Sequence, residues 1–151
     1  MFITKEDLKN GIYEYQTDQI TELDENIIYQ AMATAEEEVK SYLYGNYKKE
    51  FLDGRLRYDV EKIFSAKGAQ RNSIILMHCI TIAKWYIIQL ANPDIVHEHA
   101  KERYDRAIDW LKKLAKGELT LSTLPILDDK NNERDEGLPF RFGSRQKFNH
   151  E

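Results

Sequence analysis

A chain of 151 residues that is 42% hydrophobic and 32% charged can build one real core under a well-charged surface. Its net charge of −4 excludes bulk electrostatic coating of nucleic acid, and its single cysteine, Cys79, excludes an intramolecular disulfide. Three prolines and seven glycines fall between the periodic segments, which favours helices over a strand-rich fold.

The N-terminus, MFITKEDLKNG, lacks the apolar stretch of a signal peptide, so the expected setting is the cytoplasm or something assembled there. Thr4 with Asp7 three residues on reads as a capped helix start, preceded by Phe2 and Ile3 and ending at Asn10-Gly11. A second helix is predicted from Asp24, its cap, to Tyr44. Ile28, Ala31, Met32, Ala35, Val39, Tyr42 and Leu43 recur at spacings of three and four and form its apolar stripe. Glu36, Glu37 and Glu38 fan around the helix and read as a solvated face. Gly45-Asn46 stops it. Asp53-Gly54 marks a turn, and Tyr58, Val60, Ile63 and Phe64 predict a short helix over 57–65 closed by Lys67-Gly68.

Asn72 to Asn92, NSIILMHCITIAKWYIIQLAN, is apolar on nearly every side. Such a helix is the centre of a bundle or a membrane span. Lys84 near its middle, with His78, Thr81 and Gln89 around it, argues for the bundle, because a central lysine costs roughly 2.5–3.5 kcal/mol even on insertion scales. Either Asn72 or Ser73 caps it, and Asn92-Pro93 ends it. The last long helix is predicted from Pro93 to about Lys116. Val96, Ala100, Tyr104, Ala107, Ile108, Leu111, Leu114 and Ala115 face inward, and Gly117 ends it as a left-handed glycine.

After Leu121 the periodicity stops. A helical domain over 1–124 would be followed by an arm over 125–151, in which DDKNNERDEG precedes LPFRFGSRQKFNH. Phe140, Arg141, Phe142, Arg145, Lys147 and Phe148 are the candidate partner-binding residues, since aromatics in a tail need a partner to be buried. A plain disordered terminus is the competing reading.

No enzyme signature stands out. There is no P-loop, dinucleotide glycine pattern, Cys-x-x-Cys or esterase elbow. His97-Glu98-His99 suggests a metal, but residues two apart on a helix point about 200° apart and cannot share an ion. Adjacent His78 and Cys79 likewise point about 100° apart, which argues against a nucleophile pair. No cofactor is expected.

The order of FITKEDL, AEEEVKSYLYGNY, the apolar helix ending in ANPDIV, and ERYDRAIDWLKKLAKGELTL resembles the Mu-like phage gene-product-36 family over residues 2–124. That family is similar in arrangement to the head–tail connector (adaptor) proteins of tailed phages. The resemblance implies an all-α virion structural protein: a non-catalytic subunit that joins a ring of its own copies and docks on portal or other neck proteins. It would be cytoplasmic during assembly and in the virion neck afterwards, with neither a specific nucleic acid nor a membrane as partner. The alternative from another class is a small cytoplasmic DNA-binding regulator, which would need a basic recognition helix; the last helix instead alternates acids with its lysines.

Overall fold

The computed structural model describes residues 1–10, 24–45, 55–91 and 98–127. Among them the fold is all-α: three long helices, α1 (Glu25–Tyr44), α3 (Ser73–Ala91) and α4 (Glu98–Lys116), with a short α2 (Val60–Ser65) and 3₁₀ turns at Asp7–Asn10 and Gly68–Gln70. The predicted stops at Asn46 and Asn92-Pro93, the turn at Asp53-Gly54 and the first turn of the last helix before Glu98 lie outside the described residues.

The helix starts follow their caps. The Asp24 carboxylate accepts from the Asn26 amide at 2.9 Å. Asn72, rather than Ser73, caps α3, its side-chain oxygen accepting from the Ile74 and Ile75 amides at 3.2 Å each. At the N-terminus, the Thr4 amide and hydroxyl both donate to Asp7 at 2.7 Å, and the chain makes one 3₁₀ turn instead of an α-helix. Phe2, Ile3 and Leu8 are all buried in the core, as their placement around that cap requires.

The short helix starts three residues later than its periodicity predicts, for a visible reason. Residues 57–59 are committed to an antiparallel pairing with 125–127. The Asp59 amide donates to the Pro125 carbonyl at 2.8 Å, and the Leu127 amide to the Arg57 carbonyl at 2.9 Å. Asp59 then caps α2 through the Lys62 amide at 3.0 Å. The backbone therefore stays on the body through Leu127.

α3 packs chiefly on α1 and also on α4, and the core forms where the three meet. Its length and composition would also suit a membrane span; here Ile75, Cys79, Ile82, Ala83 and Ile87 are buried among the other helices. α4 buries Ala107, Ile108, Leu111 and Leu114. It ends as predicted. Gly117 has φ +78°, its amide donates to the Leu114 carbonyl at 3.1 Å, and the Glu118 amide donates to the Lys113 carbonyl at 3.0 Å. These two bonds form a Schellman cap.

The triple-glutamate reading needs correction. Glu37 is exposed, but Glu36 is buried and accepts from the backbone amides of Phe2 and Ile3, the latter at 2.8 Å. Glu38 is half-buried and accepts from the hydroxyls of Tyr86 and Tyr104, at 2.8 and 2.9 Å. A carboxylate on the edge of an apolar stripe is stable when other elements bring donors to it. Glu36 holds the N-terminal segment on α1. Glu38 ties α1 to both α3 and α4.

Candidate interaction surface

The outer side of α3 is only partly covered. Met77 is 52% exposed, and Thr81, Lys84 and Ile88, at successive spacings of four, three and four, are half-buried beside it. On an α-helix those spacings form one stripe. The adjacent edge of α4 carries Arg103 and Arg106, both exposed, and a half-buried Trp110. A cavity of about 320 Å³ lies between the two helices, lined by Met77, His78, Thr81, Arg103, Arg106, Ala107 and Trp110.

Aromatic stacking sets the shape of this seam. The His78 ring lies on Trp110 with centroids 4.3 Å apart and planes 26° apart. Further along α3, Trp85 stacks on Tyr104 at 5.4 Å, and Tyr86 meets the same tyrosine edge-on at 6.3 Å. Burial and the neighbouring Glu38 carboxylate raise the Tyr86 and Tyr104 pKa values, so both remain donors to that carboxylate. His78 is only 7% exposed and its Nε2 has no hydrogen-bond partner among the described residues. Burial pushes its pKa down to about 4, so it is neutral at physiological pH. Lys84 is shifted down as well, first by burial and then by the like charge of Arg103. Cys79, buried beside His78 in sequence, has its thiol pKa pushed up by burial, which keeps it protonated and unreactive.

A second, larger hollow of about 760 Å³ opens where α2 and the start of α3 meet residues 123–125. Its arginine is already engaged. Arg71 makes a two-pronged contact with Asp7, at 2.6 and 3.0 Å, and donates to the Phe2 carbonyl at 2.9 Å. The Arg71 guanidinium holds the Asp7 carboxyl down to about 2. The arginine that lines this hollow is therefore committed to a structural ion pair.

The tail residues singled out in the sequence, Phe140, Arg141, Phe142, Arg145, Lys147 and Phe148, lie outside the described residues, as does His97. His99 is exposed at the start of α4. Sequence reading missed the α3–α4 seam. Its signal is present in the spacing Arg103, Arg106, Trp110, a second stripe beside the apolar one on the same helix.

No curated protein and no solved structure matches the chain. The family described as Bacteriophage Mu, Gp36 matches residues 2–138, which takes in the whole helical body and the acidic run that follows it. By a match over nearly its full length, this all-α chain, in which two long helices pack on an incompletely covered α3, belongs to the Bacteriophage Mu, Gp36 family.

Proposed function

We propose that this phage protein is a head–tail connector subunit, a structural component that self-associates and docks on portal or other neck proteins without catalysis. The observation that carries the reading is the outer stripe of α3. A helix apolar enough to be the centre of a bundle leaves Met77 exposed and Ile74 and Ile88 half-buried. Exposed apolar surface beside a cavity marks a protein contact. The arm supplies the second contact through Phe140, Arg141, Phe142, Arg145, Lys147 and Phe148, whose aromatic and cationic groups suit an acidic, grooved partner. The subunit is then cytoplasmic during assembly and resides in the virion neck.

The test is genetic. In an inducible lysogen that carries the gene, its deletion should yield DNA-filled heads and separate tails, and a tagged copy should be found at the neck of complete particles by immunogold labelling. Infectious particles of normal morphology produced without the protein would refute the reading.

A further inference from the structure

The α3–α4 seam has an apolar end and a cationic end. His78 stacks on Trp110 and Trp85 on Tyr104, so the numbers rise along α3 as they fall along α4 and the two helices run antiparallel. Met77 and Trp110 therefore share one end, beside the 320 Å³ recess. Lys84 and Arg103, each seven residues away, share the other, about 10 Å along at 1.5 Å per residue. Arg106 lies between them. None of the three cations forms an ion pair among the described residues. Methionine, tryptophan and arginine are enriched where proteins meet, and they hold most of the binding energy there. Two seams cannot meet each other, because their cations would be opposed. The occupant brings an apolar anchor and an acid.

This chain carries both on its other side. α1 turns Ile28, Met32, Ala35 and Val39 into the core and packs on α3. Tyr29, Ala33 and Glu37, four residues apart in turn, form a ridge across the outer side of α1, away from α3. Tyr29 and Glu37 are exposed, and Ala33 is half-buried. Glu37 has no ion pair among the described residues, and Lys40, the one lysine of α1, lies over the Phe64 ring at 5.0 Å. The spacing also matches. Tyr29 and Glu37 are about 12 Å apart along α1, against about 10 Å between the two ends of the seam. A recess of some 320 Å³ is in the range that holds a whole small ligand, so it admits one tyrosine ring.

We infer that the α3–α4 seam receives the ridge of a second copy of this chain, with Tyr29 in the recess beside Met77 and Trp110, Ala33 allowing close approach, and Glu37 between Lys84 and Arg103. The two surfaces lie on opposite sides of the subunit. Each contact therefore leaves one free seam and one free ridge, and it repeats until a ring closes or a filament grows. This deepens the proposed self-association and rests on it; docking on a portal or neck protein does not depend on it.

Sedimentation velocity of the full chain from about 1 μM to 1 mM tests the pairing. The wild type should associate with rising concentration. Arg103→Glu and Tyr29→Ala, both on exposed side chains, should each weaken association roughly tenfold or more. Arg103→Glu combined with Glu37→Arg in one chain should recover most of the loss. An equimolar mixture of the two single variants should form a one-to-one dimer and nothing larger, since one retains a working ridge and the other a working seam. Loss of association from only one of the two faces, no recovery in the charge swap, or no dimer in the mixture would overturn the inference. A wild-type chain that stays monomeric over the whole range would overturn it too, and would leave the connector reading to the lysogen test.

Discussion

Replacing Asp7 by asparagine tests how the N-terminal segment is held. The Asp7 carboxylate and Arg71 guanidinium are only 12% and 13% exposed and meet through two hydrogen bonds, so the pair is weakly screened. The pairing lowers the Asp7 pKa from 3.8 to about 2, with the Arg71 hydrogen bond the largest cause and the Thr4 hydroxyl and amide adding to it against the cost of burial. A tenfold change in acidity corresponds to about 1.36 kcal/mol, so the charged form stabilises the fold by about 2 kcal/mol. The sign follows from the depression. The unfolded chain takes up this proton first as the pH falls. The contribution is therefore complete above the unfolded value of 3.8 and is lost as the pH drops through 3.8 towards 2. Asp7→Asn should cost about 2 kcal/mol at pH 7, some 4 to 8 °C in Tm for a chain of about this size. The difference from wild type should shrink steadily below pH 4. Urea titrations followed by far-UV circular dichroism at pH 7, 4 and 2.5 would measure it. A cost that is the same at every pH would refute the charge-based account and leave only a packing role for the side chain.

Glu36→Ala removes the acceptor of two buried backbone amides and should destabilise by roughly 2 to 4 kcal/mol, with Glu36→Gln costing less, both readable as a shift in urea midpoint. Gly117→Ala forces a side chain into a left-handed conformation and brings a Cβ to 2.9 Å from that of Arg55, so it should cost at least about 1 to 2 kcal/mol in thermal unfolding. The His78 ring protons should titrate in NMR spectra near pH 4. Because that value lies below 6.5, the protonation stabilises the unfolded chain, and His78 should contribute a loss of stability as the pH falls from 6.5 to 4. Truncation after Asp129 should leave the helical circular dichroism unchanged, because the last described core residue is Leu124 and the last described backbone bond is made by Leu127, and on the proposed connector role it should abolish capture of a portal or neck protein.

Much of the fold is legible in the sequence because its elements are locally specified. Asp24 and Asn72 cap helices through their own side chains, and Gly117 adopts a left-handed backbone conformation that other residues disfavour. The apolar stripe of α1 needs only a helical period to be seen. What could not be seen depends on distant partners. Nothing in Glu36-Glu37-Glu38 says that the first takes the Phe2 and Ile3 amides and the last takes two tyrosines from other helices. The late start of α2 has the same origin, since residues 57–59 give up a possible helical turn to pair with a segment far along the chain, at 125–127.

The α3–α4 seam was hidden for a different reason. Hydrophobic periodicity identifies a buried face by contrast with a polar one, and α3 offers almost no contrast. Which of its sides stays uncovered is decided by how α1 and α4 approach it, and two aromatic contacts fix that approach: His78 on Trp110 and Trp85 on Tyr104. Once α4 is seated there, Met77 falls outside the contact, Ile88 is only half covered, and Arg103 is brought near Lys84. An isolated monomer gains nothing from leaving those apolar groups in water or from crowding those cations. An apolar surface that is costly in water is stabilised when a partner of matching apolar character covers it. The exposed side of an otherwise apolar helix therefore says more about the work of this protein than its buried side, and it is the side on which its interactions should be sought.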